Sequence, residues 1–110
     1  MSDTEYGACL AACLACTAAC ERCSTEALKG PGGAFVDLTR LTRDCSATCW
    51  FAARLLARRS EFDVDVCHLC VTVAEACARE CEKYDLDHCR ACAAACRRCA
   101  ERCRALCQLV

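Results

Sequence analysis

The most regular feature of this chain is the return of cysteine at steps of three and four residues, with charged residues filling the positions between. Cysteines stand at 9, 13, 16, 20 and 23, then 45 and 49, then 67, 70, 77 and 81, then 89, 92, 96, 99, 103 and 107. Steps of three and four are the helical period, so each group lines one face of a helix. Taking Cys13 and Cys16 as heptad positions a and d puts Cys9, Cys20 and Cys23 on the same seam. The second segment's seam is Phe35, Leu38, Thr42, Cys45, Cys49, Ala52 and Leu56, and the third's is Cys67, Cys70, Ala74, Cys77, Cys81 and Tyr84. The fourth runs through Cys89, Cys92, Cys96, Cys99, Cys103 and Leu106. Glu21, Arg22, Glu75, Arg79, Glu82, Arg97, Arg98, Glu101 and Arg104 all fall off these seams.

Turn chemistry sets the boundaries. Lys29-Gly30-Pro31-Gly32-Gly33 is the only Gly/Pro cluster and ends the first helix. The Arg58-Arg59 pair suits a helix C-terminus, and Ser60 with Asp63 reads as a capping box that opens the third helix. Asp85 or Asp87 can cap the fourth. The pattern predicts helices near 5–28, 35–58, 62–83 and 86–108. Short second and third connections make sequential helices antiparallel neighbours. The predicted fold class is therefore all-α: one domain over 1–110, an antiparallel up-down four-helix bundle with a cysteine-lined core.

Composition narrows the chemistry. The chain has 110 residues and 17 cysteines, but only four glycines and one proline. Its length allows a core without obligatory cross-links, while the cysteine content far exceeds the ~8–10% that marks a disulfide scaffold or metal protein. So little Gly and Pro excludes a turn-rich disulfide scaffold. A formal charge of −1, from 14 basic and 15 acidic residues, offers no attraction for nucleic acid or a membrane surface. The uncharged stretch Tyr6 to Cys20 is short of the roughly 20 residues that span a bilayer. Its acidic flank Ser2-Asp3-Thr4-Glu5 is the reverse of a secretory signal. Leu10-Ala11-Ala12-Cys13 resembles a lipoprotein cleavage site, but too little hydrophobic sequence precedes it. The expected location is cytoplasmic, where thiols stay reduced.

Reduced cysteine packs as a small hydrophobe, yet leucine at the same positions would stabilise a core more, by roughly 1.5–3 kcal/mol per buried side chain. Packing alone does not explain the choice. Disulfides within a helix fit poorly, because a bridge needs Cβ atoms about 3.5–4.5 Å apart and i,i+3 or i,i+4 neighbours stand about 5–6 Å apart. Metal ligation fits better, since metal–sulfur bonds a little over 2 Å hold two sulfurs about 4 Å apart. CxxxC pairs occur at Cys9/Cys13, Cys16/Cys20, Cys45/Cys49, Cys77/Cys81, Cys92/Cys96, Cys99/Cys103 and Cys103/Cys107. CxxC pairs occur at Cys13/Cys16, Cys20/Cys23, Cys67/Cys70, Cys89/Cys92 and Cys96/Cys99.

Pure thiolate ligation selects Cu(I), Zn(II) or iron–sulfur clusters. Four Zn(Cys)4 sites would leave about eight negative charges in a low-dielectric core, which is costly. One thiolate per Cu(I) is neutral, and a bridging thiolate serves two ions. Zinc and [4Fe–4S] want four ligands around discrete points, and the spacing shows no such punctuation. Charge favours many Cu(I) ions.

The runs Cys9-x3-Cys13-x2-Cys16-x3-Cys20-x2-Cys23 and Cys89-x2-Cys92-x3-Cys96-x2-Cys99-x3-Cys103-x3-Cys107 resemble those of the bacterial copper storage proteins. With Cys45/Cys49, Cys67/Cys70 and Cys77/Cys81 the resemblance covers nearly the whole chain. It implies a four-helix bundle filled with Cu(I) through CxxxC pairs and assembled as a homotetramer. Some members carry a twin-arginine export signal; this sequence has none and resembles the cytosolic branch. Its only methionine is Met1, so the methionines near the bundle mouth of some relatives have no counterpart.

His68 and His88 flank the seam, each as a solvated helix-terminal residue or as a ligand at the rim. His88 shares its end of the bundle with Cys23 and Cys81, and that end is the expected metal entrance. Tyr6, Leu56, Phe62, Val66, Leu106 and Leu109 would plug the other. Trp50, Phe51, Leu55, Leu69, Val71 and Val73 lie off the sulfur seam, either half-buried between helices or forming a homo-oligomer interface. Arg90, Arg97, Arg98, Arg102 and Arg104 give a locally basic face, read as solvated and paired with Glu or Asp. No residue set suggests catalysis beyond thiol chemistry, so no enzyme is expected. The function expected is sequestration and storage of many Cu(I) ions by all seventeen cysteines, with His88 as a candidate additional ligand. Copper-exchanging proteins or small thiols would be its partners. An iron–sulfur or zinc-thiolate protein and a thiol redox buffer are the alternatives.

Overall fold

The computed structural model describes residues 3–108. Four α-helices make up the fold: α1 (Asp3–Ala27), α2 (Val36–Arg58), α3 (Asp63–Cys81) and α4 (Asp87–Gln108). α1 and α3 each pack on both α2 and α4, and among the described residues the backbones of diagonal helices stay apart. The result is a four-helix bundle, a rod of 45 × 19 × 17 Å.

The apolar seams close on its axis. Every seam position from Leu38 to Leu56, and all seam cysteines on the other helices, are buried. Leu38, Leu56 and Leu106 are the largest side chains fully inside, and sulfur and alanine fill the space between. Thr42 is tolerated in this core because its hydroxyl donates to the Leu38 carbonyl at 2.8 Å. Off the seam, Arg97 pairs with Glu82 and Arg104 with Glu75, both at 2.7 Å, fastening α4 to the end and middle of α3. Arg90 pairs with Asp85 and Asp87. Much of the basic face of α4 is thus neutralised by carboxylates. Such exposed pairs contribute about 0–1 kcal/mol each.

Two local expectations are corrected. Ser60 and Asp63 do not form a capping box, since no side chain caps the start of α3. The Ser60 hydroxyl instead accepts from the Phe62 N–H at 3.1 Å. The Asp63 carboxylate is buried and accepts the Tyr6 hydroxyl at 2.6 Å, so a contact between α1 and α3 has drawn it away from the helix end. Phe62 does not plug the bundle; it is 57% exposed, while Leu56, Val66 and Leu106 close that end with half-buried Tyr6. Leu109 lies outside the described residues.

The end that carries His88 has an aromatic cover of its own. Phe35 and Tyr84 meet edge to face with ring centroids 5.3 Å apart. Gly30 makes room for this: a Cβ there would sit 2.4 Å from the Phe35 ring. At the other end the chain turns at Arg59, whose left-handed backbone (φ 54°) ends α2. Its side chain offsets the backbone strain, lying 3.8 Å above the Tyr6 ring and pairing with Asp3.

Candidate metal centre

Sixteen of the seventeen cysteines are buried, and all seventeen are free thiols. Their arrangement begins with α1 and α4. Cys9 faces Cys103 at 3.5 Å, Cys13 faces Cys99 at 3.7 Å, Cys16 faces Cys96 at 3.6 Å and Cys20 faces Cys92 at 3.7 Å. Each step up α1 is matched by an equal step down α4, the signature of an antiparallel pair in fixed register. The result is a ladder of sulfur rungs along the bundle.

α2 and α3 add to this ladder from the other side. Cys45 lies 3.8 Å from Cys16 and 3.9 Å from Cys96. Cys49 lies 3.6 Å from Cys70 and 3.7 Å from Cys99, and Cys70 reaches Cys99 at 3.5 Å. Within a helix, Cys16/Cys20 stand 4.0 Å apart and Cys45/Cys49 3.8 Å. The shorter approaches run between helices. The CxxxC pairs singled out in the sequence are therefore parts of a three-dimensional array rather than separate sites.

Groups of four sulfurs lie within 4.8 Å of one another: Cys13/Cys70/Cys99/Cys103, Cys16/Cys20/Cys45/Cys96 and Cys20/Cys77/Cys92/Cys96. Cys9/Cys67/Cys103 and Cys16/Cys49/Cys99 make triads by the same measure. The sequence spacing, which shows no punctuation into discrete four-ligand points, does not reveal these clusters. They form because helices the sequence pattern treats separately converge on the axis. They also overlap: Cys16, Cys20, Cys96, Cys99 and Cys103 each belong to two groups. A shared sulfur cannot complete two independent tetrathiolate sites, but it can bridge two soft monovalent ions without accumulating charge.

Protons are unevenly held in this array. The thiols of Cys20 and Cys49 are pushed far up by their contacts with Cys16, and Cys103 by its contact with Cys13, with burial adding to each. The S–H of Cys20 draws Cys16 down in turn, as an acceptor is drawn down by its donor. At the two ends, Cys89 and Cys107 are raised chiefly by burial.

His88 is half-buried, with Nδ1 3.2 Å from the Cys23 sulfur and 3.6 Å from that of Cys89. It therefore joins the last thiols of α1 and the first of α4. His68 is exposed and lines a surface cleft with Cys107, the one cysteine that is only partly buried. Cys81 is fully buried near the His88 end.

A family model described as "Copper storage protein" matches residues 2–108. The chain belongs to the copper storage protein family. Among solved structures of that family, the chain is 40% identical to the Cu(I)-bound copper storage protein BsCsp3, whose apo counterpart is from Bacillus subtilis. That match covers 92% of this chain and 96% of the other, with a TM-score of 0.88. A cytosolic copper storage protein from Streptomyces lividans, in a structure with five coppers, is 32% identical. It covers 96% of this chain and 93% of its own, with a TM-score of 0.90. An uncharacterized cysteine-rich protein of Bacillus subtilis, YhjQ, is 41% identical over 78 residues, 70% of this chain and 72% of that protein. Copper storage proteins with this bundle thus include copper-loaded forms, in agreement with the cysteine array here. No helix among the described residues is long and apolar enough to cross a membrane.

Proposed function

We propose that this member of the copper storage protein family holds many Cu(I) ions along the sulfur ladder of its core, in the cytoplasm and without catalysing a reaction. All seventeen cysteines are the proposed ligands, with His88 as an additional nitrogen donor at one end. The observation that carries this reading is the shared membership of Cys16, Cys20, Cys96, Cys99 and Cys103 in neighbouring sulfur groups. Bridging sulfurs suit a monovalent soft ion and make the array continuous. Each Cu(I) taken up displaces about one thiol proton, so the filled core stays near neutral.

The bundle has helix-to-helix packing and a continuous buried cluster of cysteine, alanine and leucine side chains apart from metal. Copper therefore enters a formed fold, unlike small zinc domains that fold only on binding. Uptake is assigned to the His88 end, where an imidazole beside Cys23 and Cys89 offers a first ligand. A homo-oligomer is part of the reading, supported by the exposed Trp50, Phe51 and Leu69. The homotetramer itself rests on the resemblance. Small thiols or copper-exchanging proteins would take the metal out.

Metal analysis of protein isolated from copper-supplemented cells tests the reading. The expected product is colourless and carries many copper ions per chain. A brown product rich in iron and sulfide, or one holding only zinc, would overturn it.

A further inference from the structure

We infer that the sulfur array opens at a second place, Cys107, and that a small thiol withdraws Cu(I) there, at the end of the rod opposite His88. This rests on the storage reading and adds the site and chemistry of release. Cys107 is the only cysteine that is not fully buried. It lies one turn beyond Cys103, past the last rung of the α1–α4 ladder, where α1 has no cysteine to face it. One turn inward on α4, Cys103 belongs to the Cys9/Cys67/Cys103 triad. On its outward side Cys107 lines a cleft of about 360 Å³ with His68, Val71, Thr72, Arg104 and Gln108. Cys107 therefore adjoins the array along α4 and, being only partly buried, also faces the cleft. Its thiol meets the Val64 carbonyl at 3.7 Å.

The cleft suits a small molecule rather than a folded partner, since its volume is at the low end of the range of small-ligand sites. His68 and Arg104 supply polar contacts for such a thiol, although Arg104 is already paired with Glu75. The exchange needs no oxidant. A first incoming thiol bonds through sulfur to a Cu(I) held between Cys107 and an inner sulfur, and the bond to the inner sulfur breaks. A second incoming thiol displaces Cys107. The two protons given up by the incoming thiols end on the two protein sulfurs, and copper leaves as a bis-thiolate, still Cu(I).

Two measurements on the full chain test this. Folded, reduced apo protein is treated anaerobically with less than one equivalent of a maleimide and mapped by peptide mass. Cys107 should carry the label; label on Cys23 or Cys89 instead would overturn the inference. Copper-loaded protein is then challenged with glutathione and a chromogenic Cu(I) chelator. In Cys107→Ser the glutathione-dependent part of release should disappear, while the parent chain keeps it in the same assay and circular dichroism shows the variant folded. Unchanged glutathione-dependent release from a Cys107→Ser protein that still loads copper would overturn this inference alone. Failure of the wild-type chain to take up Cu(I) would instead overturn the storage reading.

Discussion

The sulfurs of Cys9 and Cys103 lie 3.5 Å apart although 94 positions separate them in the chain. This contact is the last rung of a ladder in which α1 and α4 present thiols to each other at matched steps. The ladder makes the array a property of the tertiary fold. Sulfurs within one helix are its minor contacts.

Serine in place of Cys16 and Cys20 should lower Cu(I) capacity without unfolding the apo protein. Both sulfurs are at the centre, where Cys16 also meets Cys45 and Cys96 and Cys20 also meets Cys92 and Cys96. Each buried hydroxyl costs about 1–3 kcal/mol where it finds no partner. Chelator-competed titration reads the capacity, and urea unfolding reads the stability. Unchanged capacity would contradict a continuous array.

Gly30→Ala should destabilise the bundle by about 1 kcal/mol, the worth of the aromatic pair that the new methyl group displaces. The added Cβ would stand 2.4 Å from the Phe35 ring, which then leaves Tyr84. Gly7→Ala is the control. Nothing lies within 4 Å of a Cβ at Gly7, so alanine there should stabilise α1 by about 0.5–1 kcal/mol. Urea unfolding of the two variants gives both signs.

Tyr6→Phe should cost about 1–3 kcal/mol, because the buried Asp63 carboxylate loses the hydroxyl that donates to it at 2.6 Å. Pairing it with Asp63→Asn should recover part of the loss, since an amide is cheaper to bury unpaired than a carboxylate. A Tyr6→Phe protein as stable as the parent would show that the contact contributes nothing.

Two helix-end thiols predict a pH dependence. Cys89 and Cys107 are both raised, chiefly by burial, so the folded protein favours their neutral forms. A raised pKa contributes stability that is complete below the unfolded thiol value of about 8.5 and is lost as pH rises past it. Apo protein with Cys89→Ala and Cys107→Ala should therefore lose less stability between pH 8 and 10 than the parent. Parallel alkaline curves for the two would show that these thiols do not titrate with folding.

The sequence made the four helices and the cysteine core legible because each seam repeats at the helical period. It also carried the register of α1 against α4: steps of four, three, four and three from Cys9 to Cys23 recur in reverse from Cys103 to Cys89. That mirror is the signal for the ladder, and reading each CxxxC pair alone misses it. Other features had no such periodicity. Phe35 covers Tyr84 only because a loop glycine 5 residues earlier leaves space for its ring. Asp63 looked like a cap because local spacing says nothing of Tyr6, 57 positions away. The shared four-sulfur groups likewise require three helices to converge, which a one-dimensional pattern does not specify.

The central claim is a preformed core that takes up Cu(I) as a continuous array, and anaerobic titration of fully reduced protein against a strong Cu(I) chelator tests it most directly. The account predicts a tight endpoint near one Cu(I) per cysteine, with helical circular dichroism unchanged from the first equivalent to the last. An endpoint at a few ions, or helicity that grows as metal is added, would contradict it.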